Sequence, residues 1–151
     1  EEDMTDFSLH KPADVVLCIC DSMNYLLSTE EIFAMFRCIK EALAEDGVAI
    51  LDMKTAYCFQ KVMGNQTRVD ETEEALMIWD NTYDEETCIN EYLLTIFTED
   101  KATGMYARYD ECHEQRAYTE DEIKSCLKEA SLWLVKSWTE DEVRTYFVIQ
   151  R

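Results

Sequence analysis

Residues Asp14 to Met53 constrain the fold more than any other stretch of the chain. Val15-Val16-Leu17-Cys18-Ile19 is an apolar run without polar alternation, followed by the polar turn Cys20-Asp21-Ser22-Met23-Asn24-Tyr25, an amphipathic segment, Gly47 and a second apolar run, Val48-Ala49-Ile50-Leu51. Two such runs flanking a helical segment are the pattern of a parallel strand-helix-strand crossover, with each strand covered on both faces. Crossovers of this kind are right-handed in nearly all known folds. In open parallel sheets, ligands sit beyond the carboxyl ends of the strands, so binding chemistry is expected at the Cys20–Tyr25 turn. The glycine-rich loop that the front half of such a sheet carries is not in the chain.

The helix between the two runs announces its own ends. Ser28-Thr29-Glu30-Glu31 is a capping box, Leu27 and Ile32 form the flanking hydrophobic pair, and Gly47 is expected to supply a left-handed stop. Ile32, Phe36, Ile39 and Leu43 recur at spacings of four, three and four, which gives one apolar stripe to lay on the sheet. After the second strand, Thr55 to Met63 reads as a short helix closed by Gly64-Asn65.

From Ala75 the pattern changes to period two. Interruptions at Asp84-Glu85-Glu86 and at Glu99 to Gly104 divide it into three antiparallel strands, Ala75–Tyr83, Cys88–Thr98 and Met105–Arg116. This small sheet, residues 75–116, is expected to form a lid or substrate wall, and its aromatics Trp79, Tyr83, Tyr92, Tyr106 and Tyr109 either line a pocket or pack. Thr119-Glu120-Asp121-Glu122 is a second capping box, with Tyr118 and Ile123 as its hydrophobic pair, so a helix returns the chain to the main sheet. Leu132–Trp138 and Tyr146–Gln150 read as closing strands. No repeat, low-complexity stretch or Pro/Gly linker divides residues 1–151, which implies one domain with an inserted sheet.

Composition removes several function classes. With 33 acidic against 14 basic residues the formal charge is -19, which repels a phosphate backbone, so no direct nucleic-acid ligand is expected. No apolar run is long enough to span a membrane, and the first residues, Glu-Glu-Asp, do not resemble a signal peptide. Seven cysteines, an odd number without paired spacing, point to reduced thiols and a cytoplasmic location. Cys18 and Cys20 on one strand face and Cys112 before His113 make a metal site conceivable, but adjacent Cys and His side chains on a strand point to opposite faces, so none is expected.

Two motifs carry a resemblance that covers essentially all 151 residues in order. They are Asp21-Ser22-Met23-Asn24-Tyr25-Leu26 and His113-Glu114-Gln115-Arg116-Ala117-Tyr118-Thr119. The chain resembles the carboxyl-terminal two-thirds of a class I S-adenosylmethionine-dependent methyltransferase, most closely a small bacterial group with D-S-x-N-Y-L and H-x-Q-R-x-Y-T segments. The resemblance implies a Rossmann-like methyltransferase sheet with S-adenosylmethionine as cofactor in the intact protein. It also implies methyl transfer to a small-molecule acceptor, and that residues 1–151 alone are inactive for want of the glycine-rich loop.

The same resemblance places Asp3 and Met4 at the adenine, and Cys20, Asp21, Asn24 and Tyr25 along the cofactor's methionine portion. Tyr25, Trp79, Tyr83, His113 and Arg116 become candidates for substrate binding, with His113 as the candidate base. His113 and Arg116 project from opposite strand faces, so only one of them can face a substrate. The Gly expected between the late helix and its strand is replaced by Ser131.

A non-catalytic acidic α/β interaction module that lost its cofactor loop is the alternative. A nicotinamide-binding fold fits less well, because no G-x-G-x-x-G is visible. In the family's sheet the first strand pairs with the Val15 strand, so the Val15–Ile19 edge lacks that partner here. It is expected to be covered by self-association with a second copy of the chain, by a segment outside the chain, or by a rearranged element of its own.

Overall fold

The computed structural model describes residues 2–151. Its first half builds the crossover that the apolar runs call for. Strand β1 (Ala13–Cys18) is followed by a 3₁₀ turn at Ser22–Tyr25, helix α1 (Thr29–Ala42) and strand β2 (Leu43–Lys54). β1 and β2 are parallel neighbours, with Val15 opposite Val48 and Leu17 opposite Ile50. The Ser28 capping box forms in full: its hydroxyl accepts from the Glu31 N–H, and the Glu31 carboxylate accepts from the Ser28 N–H.

Two strong bounds differ from expectation. β1 ends at Cys18, so Cys18 and Cys20 do not share a strand face; Cys20 already has a left-handed backbone, φ 61°. α1 ends at Ala42 with an extended Leu43 and without a left-handed residue. Gly47 instead lies inside β2, where a Cβ would stand 3.0 Å from Ala13 O, Ala44 N and Ala44 O. Its smallness permits a close approach of backbones; it does not stop the helix.

After a π-helical turn at Cys58–Met63, the chain forms β3 (Gln66–Glu71), β4 (Ala75–Asp84), β5 (Ile89–Asp100) and β6 (Met105–Arg116), an antiparallel sheet in that order. The inserted sheet therefore has four strands, not three, and begins at Gln66. β3 escapes the period-two test because Gln66-Thr67-Arg68-Val69-Asp70-Glu71 contains one apolar residue and is exposed throughout. Backbone pairing with β4 holds it, in register from Gln66 opposite Asn81 to Glu71 opposite Leu76.

Helix α2 (Glu120–Glu129), β7 (Trp133–Glu140) and β8 (Arg144–Gln150) complete the main sheet, ordered β1-β2-β8-β7, with β8 antiparallel to both neighbours. The Thr119–Glu122 capping box starts α2. Its end is a Schellman turn: Ser131 has φ 56°, its N–H reaches Lys128 O, and the Leu132 N–H reaches Leu127 O.

Both helices contribute to one core cluster with the strands. Ile32, Met35, Phe36 and Ile39 of α1 and Ile123 and Leu127 of α2 join Ala49, Leu51, Met53, Phe147 and Ile149. Burying each large apolar side chain contributes about 1.5–3 kcal/mol. The alternate face of the same strands is less covered than the apolar pattern predicts. Val15 and Leu17 on β1 are 55% and 59% exposed, and Trp133 on β7 is 74% exposed. Among the described residues β1 is an edge strand, and no helix is long and apolar enough to cross a membrane.

Two substitutions check this architecture by urea denaturation. Ser131→Gly removes a left-handed side chain and is expected to stabilise by about 1 kcal/mol. Gly47→Ala forces a methyl against three backbone atoms and is expected to destabilise by about 1–3 kcal/mol.

Candidate functional site

The loop leaving β1 is the centre of the site, and its conformation is costly. Cys20 and Asp21 are consecutive left-handed residues, φ 61° and 55°, and neither is glycine. Asp52, at the carboxyl end of β2, accepts from both their N–H groups, at 3.1 Å from Cys20 and 2.6 Å from Asp21. The strain is therefore held by a single carboxylate on the neighbouring strand.

The Asp21 side chain faces a second set of partners. Oδ1 accepts from Arg144 at 2.7 Å; Oδ2 pairs with Lys54 Nζ at 2.9 Å and accepts from Gln115 Nε2 at 3.0 Å. Arg144 also donates to Asp52 at 2.7 Å. Two carboxylates and two cations thus balance in a largely buried cluster, and their mutual attraction offsets the cost of desolvating them. Burial, the largest influence, pushes the Asp21 carboxyl up. Hydrogen bonds from Arg144, Lys54 and Gln115 and the Lys54 charge outweigh it and hold the group below the usual carboxylate range.

Asn24, fully buried, ties three backbones together. Its amide nitrogen donates to Lys54 O at 3.1 Å and Arg116 O at 2.8 Å, and its oxygen accepts from Lys54 N at 2.9 Å. The loop, the end of β2 and the end of β6 are fixed as one unit. Asp21 and Asn24, both placed on the cofactor by the family resemblance, have these side-chain atoms engaged within the protein.

Tyr25 turns the other way, toward the inserted sheet, and is 41% exposed. Its hydroxyl lies 2.5 Å from the Tyr92 hydroxyl and 3.3 Å from His113 Nδ1. Trp79, Tyr92 and His113, from β4, β5 and β6, stack in a row with centroid spacings of 4.5 and 4.7 Å. Glu111, two residues before His113 and on the same strand face, meets His113 Nε2 at 3.0 Å.

The structure brings together Tyr25, Trp79 and His113, and separates Tyr83 and Arg116 from them. Tyr83 is 8% exposed and stacked on Phe59, its phenol pushed up to about 12 chiefly by burial. Arg116, on the opposite strand face from His113, donates to Leu27 O at 3.2 Å and pairs with Glu122 at 3.0 Å. Its guanidinium lies over Tyr118, whose hydroxyl donates to Leu26 O.

Asp3 and Met4 lie beside β1. With Phe7, Leu17, Ile19 and Ser22 they line a cavity of about 600 Å³ along the bare strand edge. The Asp3 Oδ1 accepts from the Thr5 N–H and hydroxyl. A second cavity, about 300 Å³, opens beside Lys54, Cys58, Arg68, Trp79 and Asn81. Burial and then the Asp52 charge push the Cys18 thiol up to about 11, so it stays protonated. Among the described residues no cluster of three His, Cys, Asp or Glu side chains is placed to hold a metal ion.

Sequence reading missed Asp52, Lys54, Arg144, Gln115 and Glu111. An acid at the end of a strand that borders the binding edge was the one local signal for Asp52. Arg144 carried none, because its partners are 92 and 123 residues away.

No protein-family model matches the chain. It is 31% identical over 136 residues to a protein of Geobacillus sp. (strain WCH70) and 27% identical over 123 residues to YqeM of Bacillus subtilis (strain 168), both provisionally named as methyltransferases. The alignments cover 90% and 80% of this chain but 55% and 48% of those proteins, so the chain spans about half the length of the curated relatives it matches. An S-adenosylmethionine-dependent methyltransferase from Clostridium acetobutylicum ATCC 824 superimposes with a TM-score of 0.88 at 24% identity, covering 99% of this chain and 62% of that structure.

Because the Asp21 carboxyl is held below the usual range, it stabilises the fold in full above about pH 4, and that contribution is lost as pH falls through its depressed value. Asp21→Asn is expected to cost about 1.5–3 kcal/mol at neutral pH and to flatten the acid limb of stability against pH. Asn24→Ala orphans buried backbone groups and is expected to cost about 1–3 kcal/mol for each left without a partner; the midpoint of urea unfolding measures it. The chain has the mixed α/β, Rossmann-like fold of S-adenosylmethionine-dependent methyltransferases.

Proposed function

We propose that this chain forms the carboxyl-terminal part of an S-adenosylmethionine-dependent methyltransferase that acts on a small-molecule acceptor. One observation carries the reading: the Cys20–Tyr25 loop borders both the cavity along β1 and the aromatic row of the inserted sheet. Ser22 lines the cavity along β1, while Tyr25 meets the Trp79–Tyr92–His113 row. Direct group transfer needs donor and acceptor held in contact, and a loop that borders both regions is placed to position them at one edge of the sheet.

The lining of the β1 cavity suits an adenosyl group. Met4, Phe7, Leu17 and Ile19 offer an apolar wall to a flat ring, and the Asp3 carboxylate is a strong acceptor for an exocyclic amine. Asp3 and Met4 would hold the base, and Cys20 to Ser22 would lie along the methionine end. Bound there, the cofactor supplies an electrophilic methyl group.

Asp21 and Asn24 serve the cofactor side by holding the loop in its strained shape. Tyr25, Trp79 and His113 face the acceptor, while Tyr83 and Arg116 fix the strands that carry them. A further strand, from a second copy of the chain or from residues outside it, is what the bare β1 edge would pair with.

Calorimetric titration with S-adenosylhomocysteine tests the reading on the protein at its full encoded length and on residues 1–151. Binding is expected from the full-length protein and little or none from the shorter chain. Asp3→Ala is expected to weaken the full-length affinity about tenfold, roughly 1.4 kcal/mol. Failure of both chains to bind would remove the enzyme assignment in favour of an interaction module.

A further inference from the structure

The hydrogen bonds around His113 run in one direction, and one carboxylate sets it. Glu111 lies 3.0 Å from His113 Nε2, and a carboxylate can only accept, so Nε2 carries the hydrogen. In the neutral ring Nδ1 is then an acceptor, and the group within reach of it is the Tyr25 hydroxyl at 3.3 Å. Tyr25 donates to His113, which leaves its oxygen to accept from the Tyr92 hydroxyl at 2.5 Å. Burial first, and then the bond to Tyr25, push the Tyr92 phenol up, so Tyr92 remains a donor.

A carboxylate, an imidazole and a hydroxyl in this order are the parts of a proton relay. The groups lie at the partly exposed end of the aromatic row, with His113 and Glu111 side chains 27% and 54% exposed. They also lie beside an exposed carboxylate, Glu111, in a chain of formal charge -19. Trp79, at the other end of the stack, is covered by Tyr92 on one face only; the cations Lys54, Arg116 and Arg144 are each paired with a carboxylate, and Arg68, opposite Trp79 on β3, donates to Val62 O.

We propose that Tyr25, His113 and Glu111 take up the proton that the methyl acceptor loses, and that the acceptor is an alkylammonium ion. This rests on the methyltransferase reading above and adds the acceptor class and the fate of its proton. The ammonium N–H passes its proton to the Tyr25 oxygen as the Tyr25 proton moves to His113 Nδ1. The resulting imidazolium is stabilised by the Glu111 carboxylate. The freed nitrogen lone pair forms the new N–C bond while the carbon–sulfur bond of the methyl donor breaks and sulfur keeps its electron pair. The product amine carries the positive charge that the sulfonium loses.

The groups facing the relay are Glu111 on its own strand, Tyr92 on β5, Tyr25 on the loop, and Asp21, whose charge acts on Tyr92. ¹⁵N NMR of the full-length protein, at a pH above the ordinary histidine range, tests the arrangement without turnover. The Nε2–H tautomer of His113 is expected, with the Nδ1–H form gaining population in Glu111→Ala. An Nδ1–H ring in the parent, or a tautomer indifferent to Glu111→Ala, overturns the relay.

Turnover is read with ¹³C-methyl S-adenosylmethionine and n-butylamine, tyramine or glucosamine as acceptor probes, against n-butanol and glucose. N-methylated product is expected from the amines alone. Tyr25→Phe and His113→Gln should each lower kcat roughly 10²-fold while S-adenosylhomocysteine affinity stays within about twofold. Their deficit should shrink as pH rises toward the titration of an alkylamine near 10, where a free amine needs no base. A deficit equal at every pH overturns the relay. O-methylation, or no amine product from a protein that binds S-adenosylhomocysteine, overturns the acceptor class and leaves the methyltransferase reading standing. A protein that does not bind S-adenosylhomocysteine fails that reading and this proposal together.

Discussion

Arg144 reaches two carboxylates at once, Asp21 and Asp52, each at 2.7 Å, and much of the structure depends on that bridge. Asp52 sits at the end of β2 and Asp21 in the loop leaving β1, so one guanidinium on β8 fixes the ends of three elements. A planar fork of donors suits this task where the single ammonium of a lysine would not. Lys54 and Gln115 then extend the cluster to the inserted sheet, so a charge-balanced junction links the two sheets beside the buried Phe59–Tyr83 stack.

That junction explains how a loop can afford two consecutive left-handed residues that are not glycine. Asp52 accepts from both N–H groups, and the Asn24 amide holds the far end of the same loop to β2 and β6. A loop so restrained presents different surfaces to its two sides. Toward β1 it borders an apolar cavity; toward the inserted sheet it places the Tyr25 hydroxyl against Tyr92 and His113. The strain and the division of the site have one cause.

The legible parts of the fold were those governed by local chemistry. Both capping boxes form between residues three apart, and both apolar runs became β1 and β2 in parallel register. β3 was not legible, because an exposed edge strand needs no apolar face and is made by pairing with β4. Gly47 was legible as special but not as to why: the reason is the closeness of Ala13 and Ala44, which is a property of the packed strands. Among the candidate site residues, Tyr25, Trp79 and His113 meet in space, whereas Tyr83 packs on Phe59 and Arg116 secures Leu27 and Glu122.

The sequence by itself determined the crossover, the two capped helices and the antiparallel character of the inserted strands, since periodicity and capping act over a few residues. Only the tertiary structure decided what the polar residues do. Asp21 and Asn24 look like ligand-binding turn residues in one dimension, and they become braces because Lys54, Gln115, Arg116 and Arg144 arrive from 30 to 123 positions away. A carboxylate or amide is equally able to meet a ligand or a protein group, and chain folding alone chooses its partner.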